Sequence, residues 1–264
     1  MPKPLYTFQE KTDSPYIFRV YWYRADNCNG IVDVDVRKPC DDPGLIAELC
    51  AIQYLYFDMG LNNGNIITSG KGHKFYVSNP EILALANEQS FKKYAWPFIH
   101  EILLRLRHVE IEHSPVNEIK EKIIITNKNL KFIFSDSGQF DQPNYAIDTP
   151  VLGKVHITKH ALDQYIKRTD AGIGMKNELK SLILRLKHPE LRQLDVGKGV
   201  QQHKSFKYGN HVKTTFWGHN ISVIGFTIIE DGDRKTLVTV YRRDLEFQRN
   251  RYENRLPVYW GNYL

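Results

Sequence analysis

A stretch near the middle of the chain, from Ser135 to Pro150, has no periodic apolar pattern. Its sequence, SDSGQFDQPNYAIDTP, combines glycine, proline, aspartate and serine, which is typical of a connecting segment. The charge changes sign at the same place, because residues 151–264 hold 20 Lys/Arg against 11 Asp/Glu, whereas residues 1–150 hold 16 against 19. We therefore predict two domains, 1–134 and 151–264, joined by a linker at 135–150.

The composition excludes several classes of protein. With 42% hydrophobic and 12% aromatic residues, the chain can fill real cores. Cys28, Cys40 and Cys50 form no CxxC pair, and their spacing matches neither a zinc site nor a disulfide framework. There is no secretory leader pattern and no apolar run near the roughly 18 residues of a membrane span. We expect a cytoplasmic protein with no membrane contact, metal or cofactor.

Hydrophobic periodicity predicts the elements of the first half. Ile31–Val36 (IVDVDV) alternates strictly, which predicts a half-exposed strand, paired in a hairpin with Ile17–Arg24. We further predict a helix from Pro43 to Met59 that ends at Gly60, a strand at Asn65–Thr68, helices at Pro80–Ala86 and Phe91–Arg107, and a strand at Val109–Glu112. The segment Val116–Phe134 fits a helix or a strand equally well.

This order of elements, over roughly residues 15–120, resembles the ribonuclease H-like fold. In that family a metal-binding Glu lies in the first turns of the helix after the opening strands, and Glu48 in LIAELCA matches this placement. The family also has an Asp inside the first strand and another at the end of the strand that follows the helix, which correspond here to about Tyr23 and to Ser69. Two-metal hydrolysis needs several acidic ligands. We therefore predict an inactive scaffold or binding domain, with Glu48 as a solvated or capping residue on its helix.

The second half predicts two helices followed by an antiparallel meander, so both halves are of the α+β class. The predicted elements are a strand at Lys154–Thr158, helices at Lys159–Arg168 and Met175–Lys187, and strands at His203–Tyr208, His211–Trp217, Ile221–Ile229 and Leu237–Arg243. Turn sequences such as Asp231-Gly232-Asp233 separate these strands.

Residues 154–244 resemble RelE- and BrnT-like toxin modules, which act on RNA. Such modules read His-Ala-x-x-Arg-x-x-x-Arg on their first helix; His160 and Arg168 match, while Gln164 replaces the first Arg. Thr239-Val240-Tyr241 is similar to their terminal strand. The resemblance implies RNA binding or metal-free RNA cleavage. In such cleavage His160 and His203 would titrate, and Lys204 or Arg168 would supply the positive charge. The alternative is that His160 only packs at the strand–helix junction and Arg168 is a solvated helix charge.

Basic and aromatic residues are interleaved in the second half, which is typical of surfaces that hold single-stranded RNA. Cations neutralise phosphates, and aromatic faces stack on bases. Phe206, Phe216 and Trp217 fit equally well as core residues of the meander. The candidate RNA-binding residues are Lys204, Lys207, Tyr208, Lys213, Trp217, Arg242, Arg243, Arg249, Arg251 and Arg255.

These observations lead to three hypotheses. The first is an RNA-binding protein without catalysis and with weak sequence preference, which holds single-stranded RNA; DNA remains open as the polymer, because phosphate contacts hardly distinguish the two. The second is a metal-independent endoribonuclease with His160, Arg168 and His203 in its site. The third is a structural adaptor whose first half binds another protein.

Overall fold

The chain forms two compact units, residues 1–145 and 146–264. The computed structural model describes residues 3–25, 28–37, 40–61, 69–122, 130–135, 145–169, 177–196, 206–207, 212–220 and 222–243. Within these ranges each unit contains α-helices and one six-stranded mixed sheet. The predicted α+β class is therefore confirmed.

The N-terminal unit is built on a sheet with the strand order β5-β4-β1-β2-β3-β6. Its described elements are β1 (Leu5–Lys11), β2 (Ile17–Ala25), β3 (Cys28–Val36), α1 (Pro43–Gln53), β4 (Lys74–Val77), α2 (Pro80–Ala86), α3 (Trp96–Arg105), β5 (Glu110–His113), α4 (Val116–Lys122) and β6 (Leu130–Ser135). Strand β2 is antiparallel to both β1 and β3, whereas β4 is parallel to β1, β5 to β4, and β6 to β3.

Helix α1 forms the centre of the N-terminal core. Asp42 caps its first turn by accepting a hydrogen bond from the Leu45 N–H at 3.0 Å. Every residue from Gly44 to Ile52 is buried, because the helix packs on the sheet and also contacts α2 and α3. A π-helical turn, Tyr54–Asp58, continues the chain towards Gly60, so the predicted helix of 43–59 consists of an α-helix and this turn.

Several predictions for the first half need correction. A strand that was not predicted, β1, precedes the hairpin of β2 and β3. Strand β3 is not half-exposed, because Asp33 on its polar face is buried and paired with Arg19. The helix predicted from Phe91 begins only at Trp96, and the Phe91 side chain is 96% exposed. The strand predicted at Asn65–Thr68 lies outside the described residues.

The C-terminal unit has a sheet with the order β7-β8-β12-β11-β10-β9. Its described elements are β7 (Ala146–Thr149), β8 (Gly153–Ile157), α5 (Lys159–Arg168), α6 (Glu178–Leu186), β9 (Arg192–Gln193), β10 (Lys213–Gly218), β11 (Ile224–Asp231) and β12 (Arg234–Arg242). Strand β8 is parallel to β12, so the sheet is mixed rather than a simple meander. Gly232, with φ +56°, forms the tight turn between β11 and β12.

Two predictions for the second half are also wrong in part. Strand β7 occupies residues that were predicted to belong to the linker. The strand predicted at His203–Tyr208 fails at its two described residues, because Phe206 and Lys207 have helical backbone. Basic and aromatic residues alternate here as they do in many strands, yet the Phe206 side chain is 88% exposed.

Candidate functional site

Helix α5 presents a polar face whose position is fixed by its first turn. Thr158 Oγ1 accepts a hydrogen bond from the Ala161 N–H at 3.1 Å and lies 3.0 Å from the Leu237 carbonyl of β12. Ala161, Leu162 and Tyr165 are buried against the sheet. These three residues lie on the side of the helix that packs in the core, so His160 and Lys167 on the other side are exposed.

Four side chains define what we call the α5 cation cluster: His160, Lys167, Arg168 and Lys207. The pKa of His160 is lowered, first by partial loss of solvent and then by the positive charge of Lys207, with smaller effects of Arg168 and Lys167. Asp163 acts in the opposite direction, but its carboxylate pairs with Lys159 at 3.0 Å. The charges of Lys207, Arg168 and Lys167 therefore all act on His160, and they favour its uncharged form.

Phe206 adds an aromatic ring next to this cluster in the chain. Its side chain is 88% exposed, and it directly precedes Lys207. A phenylalanine that stays in water lacks the roughly 1.5–3 kcal/mol of stabilising free energy that burial of its side chain would contribute. From the sequence, Phe206 fits as a stacking residue or as a core residue, and it is not among the predicted site residues. The pattern that could have identified it is its position between Lys204 and Lys207.

Phe216, Trp217 and Lys213 lie on β10 and have intramolecular roles. Phe216 is buried, which bears out its interpretation as a core residue. The Trp217 indole N–H donates to Thr215 Oγ1 at 3.0 Å, and Lys213 Nζ pairs with Glu230 at 3.0 Å. RNA binding by Lys213 and Trp217 stays a prediction. Each of these side chains already has a partner within the protein, Glu230 for Lys213 and Thr215 for Trp217.

Arg243 has a structural role that cannot be inferred from the sequence alone. Its guanidinium donates to the carbonyls of His219 at 2.8 Å and Ser222 at 3.1 Å, which holds the turn between β10 and β11. Arg242 is half-buried at the end of β12. The remaining candidates, His203, Lys204, Tyr208, Arg249, Arg251 and Arg255, lie outside the described residues.

Glu48 in the N-terminal unit was predicted to be solvated or to cap its helix, and this prediction is wrong. The side chain is completely buried. Its Oε1 accepts hydrogen bonds from Thr7 Oγ1 at 2.7 Å and the Ser78 N–H at 2.8 Å. Its Oε2 accepts from Ser78 Oγ at 2.9 Å and the Asn79 N–H at 3.1 Å. Burial raises the pKa of Glu48 to about 7, although these hydrogen bonds favour the carboxylate.

This network leaves Glu48 poorly placed to bind a metal ion. A carboxylate offers about four lone-pair sites, and four donors are already directed at its two oxygens. Among the described residues, no group of three or more His, Cys, Asp or Glu side chains could hold a metal ion.

Two further findings bear on the whole chain. No helix within the described ranges is long and apolar enough to cross a membrane. Comparisons with protein-family models, with curated proteins and with solved structures found no match.

Proposed function

We propose that this protein binds single-stranded nucleic acid, RNA in the first place, through the α5 cation cluster and Phe206, and that it does not cleave it. The observation that carries the proposal is an 88% exposed aromatic ring adjacent to Lys207, whose charge acts on His160 together with those of Arg168 and Lys167. Cations that neutralise phosphates beside a ring that stacks on a base are the two elements of single-strand recognition.

The N-terminal unit supports a role without catalysis. The resemblance to the ribonuclease H-like fold implies metal-binding positions in the first strand, in the following helix and after the next strand. Because β1 is the first strand, these positions correspond to Thr7, Glu48 and Ser78. Thr7 takes the place of Tyr23, and Ser78 takes the place of Ser69. Thr7 and Ser78 both donate to Glu48, so one carboxylate stands where the family has three. We propose a scaffold with this fold and no hydrolytic centre.

A cytosolic location is part of the same proposal. Cys28, Cys40 and Cys50 are free thiols. Cytosolic proteins keep their thiols reduced. The proposal predicts binding to RNA under reducing conditions.

Replacing Phe206 with alanine tests the stacking part of the proposal. We expect the affinity for a labelled 12-nucleotide single-stranded RNA to fall about 5-fold to 150-fold, which corresponds to roughly 1–3 kcal/mol for one stacked base. Affinity for a duplex of the same length should stay within twofold, since paired bases offer no free face. The measurement is fluorescence anisotropy at fixed salt. As a control, Phe91→Ala removes a ring that is 96% exposed in the other unit; an equal loss with this variant would contradict the assignment.

We expect RNA binding to depend on pH through the protonation of His160. Its pKa in the free protein lies below the usual 6.5 because of partial desolvation and the neighbouring cations. A bound phosphate would stabilise the imidazolium and raise that pKa, so the complex takes up a proton. Affinity should therefore increase about threefold to tenfold between pH 7.5 and pH 5.5. His160→Gln should retain the affinity of pH 7.5 and lose most of this increase; a variant with the wild-type pH profile would exclude His160 from the interface.

A metal-independent endoribonuclease is the second candidate, and the lowered pKa of His160 favours it, because an uncharged imidazole among cations can act as a general base. This activity would yield fragments ending in 2′,3′-cyclic phosphate in the presence of EDTA, and His160→Ala would abolish them. Our proposal expects the RNA to remain intact after long incubation with the purified protein.

A further inference from the structure

The face of the N-terminal sheet opposite α1 carries a band of tyrosines. On β1, Thr7 points to Glu48 of α1, so the alternation along the strand directs Tyr6 to the opposite face. The register pairs Tyr6 with Tyr23 of β2 on one side and with Tyr76 of β4 on the other. All three side chains are half-buried. We call these tyrosines, with Glu110 and Glu112 of β5 at their border, the tyrosine face.

Flat sides of the Tyr6 and Tyr76 rings face each other within the protein. The rings of Tyr6 and Tyr76 are stacked, with centroids 4.6 Å apart and planes 7° apart. Tyr23 lies 6.2 Å from Tyr6, and Lys74 Nζ lies 5.0 Å from the centre of the Tyr76 ring. The stacked sides of Tyr6 and Tyr76 are therefore closed to a nucleic-acid base. The Tyr76 hydroxyl already forms a hydrogen bond with Lys74, and a phenolic oxygen with two lone pairs can take part in a further one.

The border of the tyrosine face carries more negative than positive charge. Lys74 is shared by two carboxylates, at 2.6 Å from Glu112 and 3.9 Å from Glu110. The side chains of Glu110 and Glu112 are 68% and 50% exposed. With one lysine for two carboxylates, this border repels phosphates and attracts a further cation.

The same side of the sheet already holds an arginine of the chain itself. Arg19 Nε and Nη2 each donate to a carboxylate oxygen of Asp33 at 2.8 Å. A hydrogen bond with Tyr21 adds to the effect of Asp33 in raising the pKa of Arg19. On this side of the sheet, the guanidinium of Arg19 is therefore bound by the carboxylate of Asp33 and the hydroxyl of Tyr21. Glu110, Glu112 and Tyr76 carry the same groups and now share one cation of the chain, Lys74.

We propose that the tyrosine face binds an arginine-bearing segment of a protein partner, with Glu110 and Glu112 pairing with guanidinium groups and the Tyr6 and Tyr76 hydroxyls completing their hydrogen bonds. Arginine fits better than lysine, because its planar fork reaches a carboxylate and a hydroxyl together, whereas an ammonium is a compact point charge. Tyrosine is also enriched at protein interfaces. This site is separate from the α5 cation cluster and does not depend on RNA binding.

The test measures binding of labelled hexa-arginine and hexa-lysine peptides to the full-length protein at low salt. We expect hexa-arginine to bind at least fivefold more tightly than hexa-lysine. Glu110→Gln combined with Glu112→Gln should weaken hexa-arginine binding at least tenfold, and Tyr76→Phe should reduce the preference for arginine while circular dichroism stays unchanged. The matched control, Asp13→Asn with Tyr16→Phe, alters an exposed acid and an exposed tyrosine away from this face and should change affinity less than twofold.

Three outcomes would overturn the proposal: no binding of hexa-arginine, equal binding of both peptides, or equal losses in the test and control variants. Loss of single-stranded oligonucleotide binding on Tyr76→Phe would assign the face to nucleic acid instead. Dissociation of a dimer by the Glu110→Gln and Glu112→Gln changes would assign it to a second copy of the chain.

Discussion

Replacing Glu48 with alanine is expected to lower the free energy of unfolding by about 3–5 kcal/mol, more than any other single change discussed above. The substitution removes the acceptor for four hydrogen bonds in a completely buried place. The Ser78 and Asn79 N–H groups would be left without a partner, and each such group costs about 1–3 kcal/mol. Urea denaturation followed by tryptophan fluorescence measures the effect. Glu121→Ala, an exposed change on α4, should stay within about 0.5 kcal/mol.

The pH dependence of the same carboxyl group provides a second readout. Its pKa is raised from 4.5 to about 7 in the folded protein, so the folded state binds this proton more strongly than the unfolded state. Its contribution to stability is therefore fully present below pH 4.5 and is lost as the pH rises through about 7. Since Glu48→Gln cannot titrate, the stability of wild type relative to this variant should fall by about 2–3 kcal/mol between pH 5 and pH 8. A constant difference would mean that Glu48 is ionised throughout.

Removing two lysines from the α5 cation cluster should weaken binding and also make it depend less on salt. We expect Lys167→Gln combined with Lys207→Gln to reduce affinity for single-stranded RNA about tenfold to thirtyfold at low salt, at roughly 1 kcal/mol for each phosphate contact. The slope of log affinity against log salt should become shallower by about 1.4, since each contact with a single strand contributes about 0.7. The measurement is fluorescence anisotropy from 50 to 300 mM salt.

The matched control removes the same number of charges elsewhere. Lys71 and Lys154 are both exposed and lie on the two different units. Changing both to glutamine lowers the net charge equally, so a non-specific electrostatic effect would weaken binding as much as the cluster variant does. Our account expects the control to retain most of the affinity and the slope.

The accuracy of sequence reasoning depended on whether the signal was local. Helix α5 was predicted with its observed bounds, because Thr158 and the residues that follow contain a complete N-terminal cap and an amphipathic pattern. Strand β1 was missed because it is central in its sheet. Leu5 and Phe8 on its two faces are both buried, so the sequence shows no alternation of apolar and polar residues.

The role of Glu48 could not be predicted for a related reason. Its partners Thr7 and Ser78 lie 41 and 30 positions away in the chain, and only the folded sheet brings them to α1. The effect of Lys207 on the pKa of His160 is likewise a property of the tertiary structure. Residue types and spacing identified the basic, aromatic character of the second half, while the structure separated exposed Lys207 from Arg243, whose guanidinium is used in a turn.

The central claim is that the α5 cation cluster holds single-stranded nucleic acid without cutting it. The most direct measurement titrates a labelled single-stranded RNA with the full-length protein across a salt series, in EDTA, and recovers the RNA afterwards for analysis of its length. The account predicts salt-dependent binding, a shallower slope for Lys167→Gln combined with Lys207→Gln, and RNA of unchanged length. No binding at low salt, or binding without a salt slope, would contradict it.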